Sequence, residues 1–286
     1  MMYYGAIEAG GTKFVCAVSN EKFDIIDQII IPTTTPTETI QHVSQFFDRY
    51  SITSIGIGSF GPIDINKHSI TYGYITTTPK PGWGNFDFIG TIQERYNVPV
   101  AFTTDVNAAA YGEYKKGRAQ NSESCLYLTV GTGIGGGAVV NGKILEGYGH
   151  PEMGHLLVNM HPDDHYQGNC SYHGTCLEGL ASGPAIEGRY HKKGQELKND
   201  KKVWEIEAYY IAQALVSYTL ILRPEKIIIG GGVSKQKHLF PIIRKEFKKL
   251  LADYVSIPDT NNYILDPGLG DNSAIIGCLI LAMEAL

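Results

Sequence analysis

The feature of this sequence that most constrains its fold is a pattern that occurs twice. YYGAIEAGGTKFVCAV near the N-terminus and CLYLTVGTGIGGGAVV near the middle of the chain share one plan: an apolar strand, a glycine-rich turn and a second apolar strand. A repeated unit of this kind predicts two similar half-molecules facing each other. The alternative is that two ordinary hairpins resemble each other by chance.

Strand and helix patterns alternate on both sides of the repeat. Asn141-Gly142 is typical of a hairpin turn. Strands are indicated by the apolar runs YYGAI, FVCAVSN, FDIIDQIIIP, SIGIGS, VPVAFTT, SCLYLTV, GGGAVVNGKIL and KIIIGGG. Helices are indicated by TPTETIQHVSQFFDRY, DVNAAAYGEYKKG, DNSAIIGCLILAMEAL and by residues of about 176–191, 203–222 and 238–252. Alternation of this kind is typical of the α/β class.

Composition excludes several classes of protein. The 286 residues are 43% hydrophobic and 19% charged, which is typical of a globular chain, and the formal net charge is −5. Because no basic run exceeds Lys115-Lys116 or Lys248-Lys249, we expect no nucleic-acid partner. No apolar run is long enough to span a membrane, and the N-terminus has no signal-peptide pattern. Five cysteines in such a chain fit reduced thiols and predict a cytoplasmic location.

Three glycine turns are candidates for contacts with phosphate or nucleotide. GTGIGGG has the spacing of a dinucleotide fingerprint, but a strand rather than a helix follows it, so that interpretation fails. Turns without side chains still bring backbone N–H groups close to an anion, and EAGGTK, GTGIGGG and GGGVS are such turns. For any one of them, a purely structural hairpin is the alternative.

Cysteine and histidine are concentrated in one stretch, residues 150–178, which holds five of the nine histidines and two of the five cysteines. His155, Cys170, His173 and Cys176 supply four nitrogen or sulfur ligands, the set of a closed tetrahedral zinc site with a structural role. We expect this zinc to fix Glu152 and Glu178, which flank its ligands. His150, His161 and His165 are weaker candidates, and HPDDH is typical of a solvated turn.

The order of EAGGTK, TDVNAAAYGE, GTGIGGG, EMGH, CSYHGTCLEG and GGGVS resembles that of the ROK family (repressor, ORF, kinase), which has the sugar kinase/actin/Hsp70 fold. TPKPGWGNFDF and CSYHGTCLEGLASGPA resemble its bacterial fructokinase branch. The wider family has a third cysteine in the metal loop, and the fructokinase branch shares the change to histidine seen here at His173. The resemblance implies two actin-like (ribonuclease H-like) α/β domains with an interdomain active-site cleft, and a homodimer. One domain would comprise residues 1–117 with a C-terminal helix of about 271–286, and the other 118–270 with the zinc loop.

The resemblance also implies ATP-dependent phosphorylation of a hexose, assisted by Mg²⁺. Asp105 matches the catalytic base, although it could instead cap the helix that follows. Glu8, where most of the family has Asp, is the candidate magnesium ligand. The matches to sugar-binding residues are Thr104, Glu152, His155 and Glu178. The matches to ATP-binding residues are Gly11, Thr12, Lys13, Thr132, Gly133, Pro184, Gly231, Gly232, Val233 and Ser234.

The sugar is predicted from two further features. Thr104 stands where glucokinase-like relatives have Asn, so it lacks the paired donor and acceptor that suit a pyranose, and D-fructose is expected over D-glucose. Trp83 and Phe86 could narrow the sugar pocket, or belong to the core or a dimer contact. Glucokinase, mannokinase and N-acylhexosamine kinase are the nearby alternatives.

Two alternatives are not enzymes. The family contains transcriptional repressors with an N-terminal helix-turn-helix, for which the first strand, at about Tyr3, leaves no room. A non-catalytic sugar-binding regulator is disfavoured because Asp105 and the glycine turns are intact.

Overall fold

Strands and helices alternate along the chain, as the sequence pattern predicts. The computed structural model describes residues 2–286. The strands are β1 Tyr3–Ala9, β2 Lys13–Ser19, β3 Ile25–Pro32, β4 Ile52–Ser59, β5 Tyr74–Ile75, β6 Phe86–Asp87, β7 Val100–Thr104, β8 Cys125–Val130, β9 Ile134–Val140, β10 Lys143–Ile144, β11 Lys226–Gly230 and β12 Ile264–Leu265. The helices are α1 Pro36–Phe47, α2 Phe88–Tyr96, α3 Asp105–Lys116, α4 Leu177–Ala181, α5 Gly183–Tyr190, α6 Lys201–Leu222, α7 Leu239–Leu251, α8 Thr260–Tyr263 and α9 Ser273–Glu284.

The repeated sequence pattern builds two sheets of the same topology. The first has the order β3-β2-β1-β4-β7 and the second β10-β9-β8-β11-β12. In each, the repeated segment forms an antiparallel hairpin, β1–β2 or β8–β9, whose first strand also pairs in parallel with the strand beside it, β4 or β11. The prediction of two similar halves is therefore confirmed at the level of strand order and direction.

The chain divides into two compact units. The first comprises the chain up to Lys116 together with Ile144–Pro151 and Asn272–Leu286, and the second comprises Gly117–Lys143 and Glu152–Asp271. The predicted boundaries assigned the segment Ile144–Pro151 to the second domain. Its contacts assign it to the first, where His150 Nε2 accepts a hydrogen bond from the Ile63 amide at 3.0 Å.

Alternate residues of the first sheet face two different cores. Ile7 and Phe14 face a large aromatic and aliphatic cluster, whereas Ala6 and Val15 face a smaller cluster against α9. Helix α9 approaches α3 closely because glycine stands at the crossing: a methyl group built on Gly277 would lie 1.8 Å from a carbonyl oxygen of α3. The C-terminal helix is thereby part of the first unit.

The second sheet has a continuous apolar centre. Strand β11 is buried from Ile227 to Gly230, as expected of a strand in parallel pairing that is covered on both faces. Helix α6 is capped by Asp200, whose side chain accepts from the Lys202 amide, and the helix buries Trp204 and Tyr210. No helix within residues 2–286 is long and apolar enough to cross a membrane.

The helix predicted at about residues 176–191 is instead two helices, so that prediction was wrong. Ser182 has φ −77° and ψ 163°, which is extended backbone, and it separates α4 from α5. Its hydroxyl accepts a hydrogen bond from the Ala185 amide, and Pro184 lies in the first turn of α5. Serine as an N-cap followed by proline in the first turn is a helix start, and this local signal overrides the apolar periodicity.

Trp83 belongs to the core of the first unit. Its side chain is fully buried, its ring lies 5.3 Å from that of Phe14 and 5.1 Å from that of Phe86, and its Nε1 donates to the Thr34 carbonyl at 2.8 Å. The core interpretation is therefore right for Trp83, and the idea that it walls a sugar pocket is wrong. Phe86 is half-buried beside it.

Candidate active site and metal cluster

Glu8 and Asp105 lie near each other in the first unit. Strand register aligns Glu8 with Gly58 of β4, and Gly58 with Thr103 of β7. Gly58 permits close approach here, since a methyl group on it would lie 3.2 Å from the Asp105 Cα and 3.0 Å from Cys278 Sγ. Burial raises the pKa of the Cys278 thiol well above its usual value, and the negative charges of Glu8 and Asp105 raise it further.

The start of α3 is capped by Thr104. Its hydroxyl accepts a hydrogen bond from the Asn107 amide at 3.1 Å, the geometry of an N-cap, and Thr104 is buried. Asp105 Oδ1 accepts a hydrogen bond from the adjacent Val106 amide at 2.8 Å, whereas the Asn107 amide, the usual partner of an N-cap side chain, bonds to Thr104. The capping role that competed with catalysis for Asp105 is therefore filled by the residue before it.

The first glycine turn joins β1 to β2. The Gly10 amide donates to the Lys13 carbonyl at 3.0 Å, and Thr33 braces the turn by donating its amide to the Thr12 carbonyl. Within residues 2–286 the amides of Gly11 and Thr12 donate to no protein acceptor. These exposed N–H groups give the turn the partial positive charge that an anion requires.

The second glycine turn joins β8 to β9 and contacts a carboxylate. Glu178 Oε2 accepts from the Ile134 amide at 2.9 Å, and a methyl group on Gly133 would lie 2.7 Å from the same oxygen. The sequence suggested separate roles for Glu178 and this turn, and the structure brings them together.

The other predicted ATP-binding residues of the second unit converge on the same turn. The Gly183 amide, next to Pro184, donates to the Gly131 carbonyl at 2.7 Å. Gly231 has φ +88°, and a methyl group on it would lie 2.4 Å from the Val130 carbonyl oxygen, so only glycine fits. The Ser234 hydroxyl donates to the Gly231 carbonyl at 2.8 Å and fixes the GGGVS segment.

The four predicted zinc ligands form one cluster. The candidate ligand atoms of His155, Cys170, His173 and Cys176 all lie within 4.8 Å of one another. His155 Nδ1 is 3.7 Å from Cys170 Sγ and 3.6 Å from Cys176 Sγ, and His173 Nδ1 is 3.8 Å from Cys170 Sγ. Ligands around a tetrahedral zinc with ordinary Zn–S and Zn–N bonds are roughly 3.3–3.8 Å apart, so the donor set and its spacing fit this ion.

The cluster is linked to the second glycine turn through the backbone. Gly154, just before His155, packs so closely on β9 that a methyl group on it would lie 1.7 Å from the Ile134 carbonyl oxygen. Cys176 directly precedes α4, which carries Glu178 in its first turn. Fixing the positions of these two ligands therefore fixes Glu178 relative to the turn that it contacts. Glu152 is exposed at the start of the 3₁₀ turn Met153–His155.

A buried ion pair anchors the far side of the metal loop, and the sequence did not reveal it. Asp164, in the segment predicted to be a solvated turn, is 6% exposed, pairs with Arg189 at 3.0 Å and accepts from the Tyr210 hydroxyl at 2.6 Å. Burial alone raises the pKa of Asp164, but its hydrogen bonds and the Arg189 charge bring that pKa below the usual value. Nothing in HPDDH itself distinguishes this aspartate, because its partners lie on α5 and α6.

The fold and the clustered motifs define an α/β protein of the kind built on paired actin-like halves. The chain matches the ROK family over residues 4–285, and it belongs to that family.

Individual relatives agree along the whole chain. The chain is 50% identical to a fructokinase from Pediococcus pentosaceus, covering 100% of this chain and 99% of that one. It is 48% identical to a fructokinase from Streptococcus mutans, covering 98% and 97%. Its structure is similar to the crystal structure of a ROK hexokinase from Thermus thermophilus, with a TM-score of 0.82, 27% identity and coverage of 99% and 98%.

Proposed function

We propose that this protein is an ATP-dependent hexose kinase that converts D-fructose to D-fructose 6-phosphate. The observation that carries the proposal is the position of Asp105 directly after β7, at the same edge of the sheet as Glu8 and with β4 between their strands, while Thr104 supplies the helix cap. A carboxylate in this position can accept the proton of a sugar hydroxyl. Family membership and relatives named fructokinase at about half identity support the same activity.

The proposed reaction has one chemical step. The 6-hydroxyl oxygen of the sugar forms a bond to the γ-phosphorus of ATP, and the bond from that phosphorus to the β,γ-bridging oxygen breaks. The electron pair leaves on ADP, and the hydroxyl proton passes to Asp105. Glu8 offers the carboxylate oxygen that Mg²⁺ prefers, and this ion, bound with ATP, would offset charge on the phosphates.

The remaining residues are assigned to binding. We assign phosphate contacts to Gly11, Thr12, Lys13, Thr132 and Gly133, adenosine contacts to Pro184, Gly231, Gly232, Val233 and Ser234, and sugar hydroxyls to Thr104, Glu152, His155 and Glu178. Exposed amides at the first turn and the convergence of the second-unit residues support this division.

Zinc is proposed as a scaffold rather than a reactant. Two cysteines and two histidines fill a tetrahedral shell, so no position is left open for a reacting water. His155 binds zinc through Nδ1, the atom near both sulfurs, and has Nε2 left for a sugar hydroxyl. The predicted homodimer and cytoplasmic location stay predictions.

Preference for fructose rests on Thr104. Its hydroxyl oxygen already accepts from the Asn107 amide, so it offers a sugar one O–H donor and one remaining lone pair, both on a single atom. An asparagine there would offer a donor and an acceptor together. A pyranose that needs both would leave a polar group poorly paired, which costs binding in a water-excluding site.

The test is ATP-coupled ADP release measured against D-fructose, D-glucose, D-mannose and N-acetyl-D-mannosamine. Fructose should give the highest kcat/KM. Equal or better turnover of glucose would contradict the fructose assignment and leave the kinase assignment standing. Sugar binding without turnover of any hexose would favour the regulator alternative instead.

A further inference from the structure

Lys80 lies against the first glycine turn. A methyl group built on Gly11 would be 3.4 Å from Cε of Lys80, so this carbon lies close to the turn. The ammonium nitrogen of Lys80 is bonded directly to Cε. Lys80 lies within the motif TPKPGWGNFDF, but no role was predicted for it from the sequence.

The position of Lys80 is set by the same segment that braces the turn. Trp83 Nε1 donates to the Thr34 carbonyl, and the Trp83 amide donates to the Lys80 carbonyl at 3.2 Å. Thr33, the neighbour of Thr34, donates its hydroxyl to the Gly10 carbonyl at 2.7 Å. A buried indole therefore ties the backbone of Lys80 to the strand end that holds the glycine turn.

Lys80 forms no ion pair with the part of the chain that the structure describes. Lys80 is half-buried, and no carboxylate within residues 2–286 lies at ion-pair distance from it. A half-buried ammonium beside the unpaired amides of Gly11 and Thr12 creates a local positive potential. An anion with several oxygens, such as a phosphoryl group, matches both kinds of donor.

We propose that Lys80 is a phosphate-binding residue that holds the phosphoryl group as it moves from ATP to the sugar, an inference that rests on the proposed function. In that step the sugar oxygen–phosphorus bond forms, the bond to the β,γ-bridging oxygen breaks, the electron pair leaves on ADP and Asp105 takes the proton. Lys80 keeps its proton throughout and stabilises negative charge on the oxygens of the transferred group.

Substitution at Lys80 tests this role. Lys80→Met removes the charge and keeps the stem, and kcat should fall about 100-fold while the KM for fructose changes less than about 3-fold. Lys80→Arg should recover at least about a tenth of the activity because it keeps the charge. Lys22→Met, at an exposed turn of the same unit, is the matched control and should leave the kinetics unchanged.

Equilibrium binding separates phosphate contact from a structural effect. Calorimetry should show Lys80→Met binding fructose 6-phosphate about 10-fold more weakly, with fructose affinity unchanged. A variant that loses fructose affinity as well, or that raises the KM for fructose at constant kcat, would overturn the proposal. Full activity of Lys80→Met would also overturn it, provided that the wild-type protein phosphorylates fructose. If the wild-type protein turns over no hexose, the proposed function fails first.

Discussion

The two glycine turns share a backbone plan and differ in the side chain that contacts them. At the first turn, between β1 and β2, the neighbour of Gly11 is the Lys80 stem. At the second, between β8 and β9, the neighbour of Gly133 is the Glu178 carboxylate, which accepts from the Ile134 amide. Hairpins of equal topology are therefore contacted by side chains of opposite charge.

Segments outside the repeated hairpins cause this difference. Lys80 comes from a loop held by a buried tryptophan, whereas Glu178 comes from a helix that begins directly after a predicted zinc ligand. The two sheets have the same topology, and segments outside the hairpins give each turn a different chemical environment. We infer that both turns offer backbone N–H groups to phosphate, and that a lysine lies against the first whereas a carboxylate proposed to bind sugar hydroxyls lies against the second.

The largest effect is expected at Asp105, the proposed catalytic carboxylate of the first unit. Asp105→Asn keeps the size of the side chain but removes the proton acceptor, so kcat should fall roughly 10²–10⁴-fold. Because Thr104 caps α3, the thermal unfolding midpoint should hardly change. Steady-state kinetics and thermal unfolding of the same preparation measure both. Turnover near the wild-type rate would show that Asp105 is not the base.

Loss of the metal should affect the second turn and spare the first. Cys170→Ser should reduce zinc content from about one ion per chain to nearly none, and the KM for fructose should rise roughly 10–100-fold as Glu178 loses its support. Elemental analysis and kinetics are the measurements. Cys125→Ala, which removes a buried thiol outside the cluster, is the control. Unchanged sugar binding in a zinc-free protein would contradict the scaffold role.

The two similar sheets were predictable because their hairpins depend on local patterns, namely apolar runs and glycine turns repeated in sequence. The clustering of the candidate zinc ligands was predictable for the same reason, since Cys170, His173 and Cys176 lie within one short segment. Asp164 and Trp83 were not, because an aspartate in a polar turn and a tryptophan in a Pro/Gly loop acquire their environments from distant helices and strands. Contacts of that kind leave no signal in the local sequence.

Neighbouring glycines provide a sharper test of the second unit. Gly231→Ala must place a methyl group 2.4 Å from the Val130 carbonyl at φ +88°, and it should cost about 2–4 kcal/mol of unfolding free energy and weaken ATP binding. Gly232→Ala is the matched control, since no atom lies within 4 Å of the added methyl. Urea unfolding should separate the two variants; Gly232→Ala is a control for stability alone, because both glycines are assigned to adenosine contacts. Equal stability would mean that the Gly231 backbone can relax.

The smallest expected effect is a pH dependence located in the second unit. Glu207 on α6 is 1% exposed, and neither carboxylate oxygen has a hydrogen-bond partner within residues 2–286. Burial raises the pKa of Glu207 well above its usual value, and the Arg189 charge offsets this only in part. Between the unfolded pKa, near 4.3, and the raised folded pKa, the folded state holds one more proton than the unfolded state. The contribution of Glu207 to stability is therefore lost progressively as pH rises through that window.

Glu207→Gln should remove this dependence because an amide does not titrate. The variant and the wild type should differ little at about pH 4.5, and the variant should be more stable by roughly 1 kcal/mol or more at pH 8. Urea unfolding at the two pH values measures the difference. Glu205→Gln, on the exposed side of the same helix, should show no comparable change with pH. If the gain from Glu207→Gln were the same at both pH values, Glu207 would be ionised in the folded protein, and the second unit would contain a compensated charge there.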